Sequence, residues 1–416
     1  MSRAETSEVV RGLDEASGSL PRRQFLVAAF GFAAGVSFSC LAPPSRGAEA
    51  PKLRAAIIGH TGRGNYGHGH ELVFKGRQNI AMVAVADVNE RGRVQAAARA
   101  GALRSYADYR QMLEREKPQL VVVAPRWTDE HHAMALAALN AGAHVYLEKP
   151  ITQTLAEADE LLAAAARGGL RIAVAHQVRL ARNILFLKQR LADGLIGELL
   201  EIRAQGKQDH RAGGEDLVVL GVHLFDLLRF FAGDPLWCAA RVLQAGREIT
   251  PADAHPATEN IGPVAGDDLF AQFAFPQGVN ATFTSRIRNR ELAEPWSMEL
   301  IGTKGAVKIL MDMVPRLYAR KGGSWTAQGK ASDWRVLEND PTLGLSSEQR
   351  GVNAANQRVV DDWLAAIAGK HEPICSGYAG MKALEMVMAV CAAGLARRRV
   401  ELPLKDRKHP LRQGGA

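Results

Sequence analysis

From Leu53 onward the chain alternates short, almost wholly apolar runs with longer amphipathic stretches, and no other feature limits its fold as strongly. The runs Leu53–Gly59, Ile80–Asp87, Leu120–Pro125, His144–Glu148 and Arg171–Ala175 are rich in Val, Ile and Ala without polar alternation. Strands that read this way are covered on both faces. Between them Glu71–Lys75, Glu90–Ala100, His131–Ala141 and Leu155–Ala166 carry helical spacing. Such a βαβ series predicts an α/β Rossmann domain, a doubly wound parallel sheet, over residues 51–175.

After about residue 176 the rhythm changes. Helical spacing over Asn183–Leu191 and His223–Phe231 accompanies alternating strands at Leu199–Gly206, Leu269–Phe275, Val279–Arg286, Ser297–Gly302 and Ala306–Leu310. Turns such as Pro276-Gln277-Gly278 and Gly302-Thr303-Lys304-Gly305 separate the strands as hairpins require. This predicts an α+β domain with an open antiparallel sheet over residues 176–400. Helices at Asn356–Ala368 and Gly380–Arg397 close it, ahead of a basic tail at 401–416.

The first fifty residues read as an address. Pro21-Arg22-Arg23-Gln24-Phe25-Leu26 precedes an apolar run, Leu26 to Phe38, with one polar residue. This is the pattern of a twin-arginine export signal. The run falls short of the roughly 20 residues of a membrane span, and Ala48-Glu49-Ala50 offers a small-x-small cleavage site. Cleavage after Ala50 is expected, with the twin-arginine machinery as a partner, a periplasmic or otherwise exported location, and no membrane span in the mature chain. Cys40 leaves with the signal. Cys238, Cys375 and Cys391 form no CxxC, so neither a zinc site nor a disulfide framework is indicated, and one disulfide stays open.

With 47% hydrophobic and 23% charged residues the composition excludes a disordered chain. The net charge of +8 raises the question of nucleic acid, but residues 397–416 alone hold seven basic and two acidic residues. A solvated helix end and tail explain that excess, and no nucleic-acid partner is expected.

A cofactor loop follows the first strand. Gly59-His60-Thr61-Gly62-Arg63-Gly64 departs from G-x-G-x-x-G by placing Thr61 at the second glycine, so Gly62 is expected to provide the close backbone approach to a pyrophosphate. A helix beginning after the loop would add its dipole. Asp87 ends the second strand 28 residues beyond Gly59, where a carboxylate can accept hydrogen bonds from the adenosine ribose. The cofactor is NAD or NADP: Asp87 favours NAD, and Arg91 and Arg93 keep NADP open.

The segment Ala124-Pro125-Arg126, His131 and Ala141-Gly142-Ala143-His144-Val145-Tyr146-Leu147-Glu148-Lys149-Pro150 resembles the glucose-fructose oxidoreductase / inositol dehydrogenase (Gfo/Idh/MocA) family, Glu-Lys-Pro being its most specific mark. Gly194-Leu195-Ile196-Gly197-Glu198 and Gly221-Val222-His223-Leu224-Phe225-Asp226 extend the resemblance across the mature chain. It implies a Rossmann domain carrying NAD(P), an open sheet walling a substrate cleft, and a homo-oligomer, dimer or tetramer. It also implies that Pro125, Arg126, His131 and Glu148 border the cofactor, with Lys149 beside the nicotinamide and His223 opposite. Hydride removal from an alcohol needs a base for the hydroxyl proton, and a desolvated lysine or a histidine meets that need.

One position departs from the sugar and polyol dehydrogenases of the family. The aspartate usual four residues before the histidine is Val219 here. Asp216 is the candidate replacement, and Asp226, at i+3 from His223, the candidate to orient its imidazole. Gln177, Arg179, Lys207 and Arg211 are substrate-side candidates. His68-Gly69-His70 and His131-His132 suggest ligand pairs, but no Cys or acidic residue completes a spacing, so no metal is expected. The function expected is an exported NAD(P)-dependent oxidoreductase acting on a small carbohydrate, sugar or cyclitol. The alternatives are an NAD-dependent glycoside hydrolase working by transient oxidation, and a cofactor-binding homologue without turnover.

Overall fold

The computed structural model describes residues 52–287, 296–322 and 333–412, so the export signal and Cys40 lie outside the described residues. The first sheet contains β1 (Leu53–Ile58), β2 (Ile80–Ala86), β3 (Arg104–Tyr106), β4 (Leu120–Val123), β5 (His144–Leu147) and β6 (Ile172–Val174). All pairings are parallel, in the order β3-β2-β1-β4-β5-β6. Alternate residues of each strand feed opposite cores, as the two-residue repeat of a strand dictates. Ala56 and Ile58 pack under α2 (Tyr109–Glu116), α3 (His131–Asn140) and α4 (Leu155–Gly168), while Ala55 and Ile57 face the other way. Thr154 and Glu157 start α4 with a reciprocal capping box.

On that second face the expected first helix is missing. Residues 71–75 follow a glycine-rich loop of low helix propensity and form only a short 3₁₀ turn, His70–Leu72. Cover comes instead from α1 (Glu90–Ala100) and from a helix that arrives almost 300 residues later, whose Val359, Val360 and Trp363 join Ile57, Val122 and Tyr146.

The second sheet follows α5 (Arg182–Ala192). It begins with β7 (Leu199–Gln205), after which come α6 (Gly214–Val219) and α7 (Gly221–Ala232). Next are β8 (Trp237–Gln244) and the two-residue β9 (Arg247–Glu248), which pairs with it, while β10 (His255–Pro256) and β11 (Pro263–Val264) pair only with each other in a separate two-stranded sheet. The second sheet continues through β12 (Asp268–Ala274), β13 (Asn280–Arg286), β14 (Ser297–Gly302), β15 (Gly305–Leu310), β16 (Arg316–Lys321) and β17 (Arg335–Val336). It is mixed, not antiparallel: β7 runs parallel to β13. The helices α6 and α7 and the antiparallel neighbours β8 and β12 intervene between these two strands, so the chain returns beside β7 in the same direction. One face is apolar, with Phe225 of α7 between Phe273 and Phe283 at ring separations of 5.4 and 5.0 Å.

The last elements are α8 (Ser347–Arg350), α9 (Val352–Gly369), α10 (Gly377–Ala396) and β18 (Val400–Glu401). Helix α9 is the late cover of the Rossmann sheet, and α10 contributes to the cores of both sheets, so neither simply closes the second domain as expected. Helix α10 is long and apolar enough to cross a bilayer, but 83% of its apolar window is buried in the fold.

Among the described residues the basic tail is solvated as expected, with Arg397, Arg398, Arg399, Lys405, Lys408 and Arg412 exposed, and Arg407 is the exception. Arg407 binds both carboxylate oxygens of Asp159 on α4 at 2.7 Å and Glu385 of α10 at 2.7 Å, and His409 and Leu411 are buried. That one guanidinium straps α4 to α10, which a count of charges along the sequence does not reveal. Cys238, Cys375 and Cys391 are free, buried thiols, which closes the question of a disulfide among the described residues.

Candidate active site

The carboxyl ends of β1, β2, β4 and β5 converge on one crevice, as ligand sites of open parallel sheets do. In the loop after β1, Thr61 donates to Asp87 Oδ2 twice, from its backbone N at 3.0 Å and from Oγ1 at 2.7 Å. Asn89 N donates to Asp87 Oδ1 at 2.9 Å. Asp87 therefore fastens the loop as well as ending β2. Its buried negative charge opposes a 2′-phosphate, and Arg93 reaches only its backbone carbonyl, at 3.5 Å. Gly62 has φ +93°, and a Cβ built there would meet nothing within 4 Å. The space over the loop is open where a pyrophosphate must approach, so these residues fit a nicotinamide dinucleotide.

Arg63 does not stand free as a phosphate ligand: it pairs with Asp129 and lies over the Trp127 ring at 5.2 Å. His131 is wholly interior, its ring nitrogens 2.9 and 2.7 Å from the carbonyls of Pro150 and Pro125. It ties the β4 loop to the β5 loop and does not line the cofactor cleft. Arg126 lines the adjoining cavity, 3.6 Å from Glu259.

That cavity, about 380 Å³, brings Lys149, His223, Gln177, Lys207 and Arg211 together with groups not singled out from sequence as cleft residues, among them His68, Glu259, Trp296 and Asp312. Lys149 Nζ donates to the carbonyl of Val219 at 3.0 Å. Burial pushes its ammonium below the ordinary lysine range, against the pull of Glu148 and Glu259. Where the family pattern has an aspartate, this chain thus offers a main-chain oxygen, and the Val219 side chain goes into the core. Burial, with Lys149 adding to it, holds the His223 imidazole well below its usual range and neutral, and its Nδ1 has no hydrogen-bond partner among the described residues.

Three assignments need correction. Asp226 does not orient His223: it is held by Arg179, which donates from Nε at 2.8 Å and lies 2.6 Å away through Nη2. At i+3 the two side chains share a helix side, but a guanidinium fork outcompetes an imidazole for a carboxylate. Arg179 is for the same reason spent inside the protein and not offered to substrate. Asp216 does not enter the cavity either. It accepts from Ser285 Oγ at 2.6 Å and from the backbone N of Lys207 and Gln208 at 3.3 and 3.2 Å, fixing the loop that carries Lys207. Burial raises its carboxyl against these hydrogen bonds.

The acidic partner that seemed absent for His68 and His70 is Glu148, eighty residues along the chain. Its Oε2 lies 2.8 Å from His68 Nδ1 and 2.6 Å from His70 Nε2, and its Oε1 accepts from Lys149 N at 2.9 Å. Burial works to raise the Glu148 carboxyl, but the two histidines hold it well below the usual carboxylate range.

The sequence pattern of the oxidoreductase family's NAD-binding Rossmann fold (Gfo/Idh/MocA) matches residues 53–176, and that of its C-terminal alpha/beta domain matches 188–402. The chain belongs to the Gfo/Idh/MocA family. It is an NAD-dependent oxidoreductase. Among Gfo/Idh/MocA relatives it is similar to D-apiose dehydrogenase of Paraburkholderia graminis, 26% identical over 86% of this chain and 92% of that one. An oxidoreductase domain protein from Kribbella flavida aligns with a TM-score of 0.67 and 25% identity, over 85% of this chain and all of that one. Levoglucosan dehydrogenase, solved with NADH and L-sorbose, aligns with a TM-score of 0.69 and 19% identity over 85% and 99% of the two chains, a likeness of fold.

Proposed function

We propose that this protein is an exported dehydrogenase that oxidises a secondary alcohol of a sugar or cyclitol. The observation that carries the reading is the meeting of Lys149 and His223 in one cavity beside the Gly62 loop. Its size and mixed polar lining suit a monosaccharide-sized polyol. The sugar dehydrogenases among the relatives support the same substrate class.

When bound, the nicotinamide dinucleotide accepts the hydride. The protein's part is to hold the reacting oxygen. Lys149, pinned by Val219 O, has further N–H groups to offer that oxygen, and neutral His223 presents a second polar contact from α7. Gln177 and Lys207 border the rest of the cavity, where further hydroxyls would lie. Export rests on the Arg22-Arg23 motif and the apolar run behind it. A chain that folds before export carries its dinucleotide with it and resets it with a second substrate. The open face of the second sheet, where Phe270 is exposed, is the surface assigned to a homo-oligomer.

The test is purification of the protein from the exported fraction, identification of the nicotinamide released on denaturation, and a screen of sugars and cyclitols by absorbance of the reduced cofactor. Bound NAD and a turnover that falls at least about 10³-fold in Lys149→Ala are expected. Absence from the exported fraction would sink the export reading, apo protein there with freely exchanging cofactor would sink the loading of the dinucleotide before export, and a Lys149→Ala variant that still turns over would sink the site assignment. Aglycone release from an aryl glycoside without net cofactor reduction would favour glycoside hydrolysis instead.

A further inference from the structure

Three potential ligating atoms, from His68, His70 and Glu148, lie within 4.8 Å of one another at the wall of the cavity. Their spacing decides what they do. Ligands about 2.0–2.2 Å from a tetrahedral ion stand about 3.3 Å apart. Glu148 Oε2 is 2.8 Å from one imidazole nitrogen and 2.6 Å from the other, which is hydrogen-bond contact with no room for an ion between.

A carboxylate only accepts, so each of those imidazole nitrogens carries a proton toward Glu148. For His70 this is Nε2–H, on a ring buried completely. For His68 it is Nδ1–H, which leaves Nε2 on the far side of a ring that is 39% exposed and lines the cavity with Lys149. The arrangement is braced on every side. Asn356 of α9 donates to the His68 carbonyl at 3.0 Å and accepts from Gln177 at 2.8 Å, and a Cβ on Gly67 would lie 2.8 Å from Glu148 Oε2.

We propose that His68 is the proton acceptor of this site, held by Glu148 with its bare Nε2 toward the reacting hydroxyl and with His70 as the brace of the carboxylate. This rests on the dehydrogenase reading and assigns within it the destination of the proton. As the carbon of the alcohol is oxidised and the dinucleotide reduced, the O–H bond breaks. Its electron pair becomes the second C–O bond, and its proton forms an N–H bond at His68 Nε2. The imidazolium so formed sits against the Glu148 carboxylate and passes its proton to water at the open mouth of the cavity. Lys149 already donates to Val219 O, and a proton on His223 would sit buried beside the Lys149 ammonium with no carboxylate in hydrogen-bond contact. Among the cavity's nitrogen bases, His68 is therefore where charge separation is least costly.

The test has an arm that needs no substrate. In the full chain labelled with ¹⁵N-histidine, two-bond nitrogen–proton spectra at mildly alkaline pH should show His68 as the Nδ1–H tautomer and His70 as the Nε2–H tautomer. His68→Gln and His70→Gln assign the signals. Finding His68 as Nε2–H overturns the proposal, as does a stoichiometric metal ion that His70→Ala removes. In the second arm, with any alcohol that the wild type oxidises, His68→Ala should lose about 10²–10⁴-fold in kcat with little change in KM. Added imidazole should restore part of it, an effect no structural role would produce. A full-rate His68→Ala overturns the proposal. If no sugar is oxidised but the paired tautomers are found, the hydrogen-bonded pair stands and the substrate reading falls.

Discussion

Two buried carboxylates flank the cleft, and they are balanced in different ways. Asp226 is gripped by the Arg179 guanidinium, which keeps its charge at any pH the protein meets. Glu148 is balanced by two histidines, one of them at the wall of the cavity. The first pair can only hold α7 against the segment after β6. The second can take up or release a proton without leaving a bare charge behind. Burial alone, the same for both, does not distinguish scaffold from chemistry; the partner's ability to titrate does.

The largest expected effect separates these two centres. Asp226→Asn leaves a buried guanidinium without its counter-charge and should cost about 3–5 kcal/mol in chemical denaturation. Glu148→Gln should cost less, about 1–2 kcal/mol, because its partners are imidazole N–H donors and no fixed cation is left without a counter-charge. Equal losses from the two substitutions would erase the distinction.

A buried histidine with no carboxylate sharpens it from the other side. Burial lowers His409 to about 4, with Arg412 adding to the shift. The unfolded chain binds a proton near the ordinary 6.5 while the folded chain refuses it. The stability that His409 contributes is therefore whole above 6.5 and falls as pH drops from 6.5 toward 4, by at most about 3 kcal/mol. Melting temperature measured across that window should fall less steeply in His409→Gln, and an unchanged slope would show that His409 is not the group responsible.

Glu385 of α10 is a second fixed-charge centre, paired with Arg407 and Lys382. Because Lys382 remains when Arg407 is removed, Arg407→Ala should destabilise by about 2 kcal/mol, less than Asp226→Asn. Urea midpoints give the ranking, and a neutral Arg407→Ala would show that Arg407 does not hold α4 to α10. The smallest effect belongs to Asp87, whose carboxylate accepts from Thr61 and Asn89 and not from a cation. Thr61→Ala keeps the backbone contact and should cost about 1 kcal/mol, seen as a few-fold weaker NAD binding by calorimetry. A loss of a hundredfold would mean that Thr61 touches the cofactor itself.

Much of the cofactor half was legible because its signals are local. Helix α1 spans Glu90–Ala100 as its spacing predicts, and Ala55–Ile58 read as a strand covered on both faces. The edge strand β3, Arg-Ser-Tyr, has no apolar run to announce it and was missed together with α2. The helix expected after the Gly62 loop failed because glycine's low helix propensity outweighed a short apolar pattern. In the cleft, the position of Lys149 and His223 was legible through their motifs, whereas the partners of Asp226, Asp216 and Glu148 were not. Each of those partners is chosen by proximity after folding, across 47, 69 and 80 residues of chain for Arg179, Ser285 and His68.

The sequence by itself determined the parallel cofactor sheet, the main strands of the second sheet, the cofactor loop and the residue types that reach the cleft, since periodicity, glycine placement and the Glu-Lys-Pro turn act over a few residues. The tertiary structure alone decided that the second sheet is mixed, which carboxylate meets which cation, that Val219 serves Lys149 through its carbonyl, that Arg407 of the basic tail is a strap, and that His68 stands on Glu148. Those are contacts between segments far apart in the chain, and electrostatic pairing falls off over a few ångströms of space whatever the distance along the sequence.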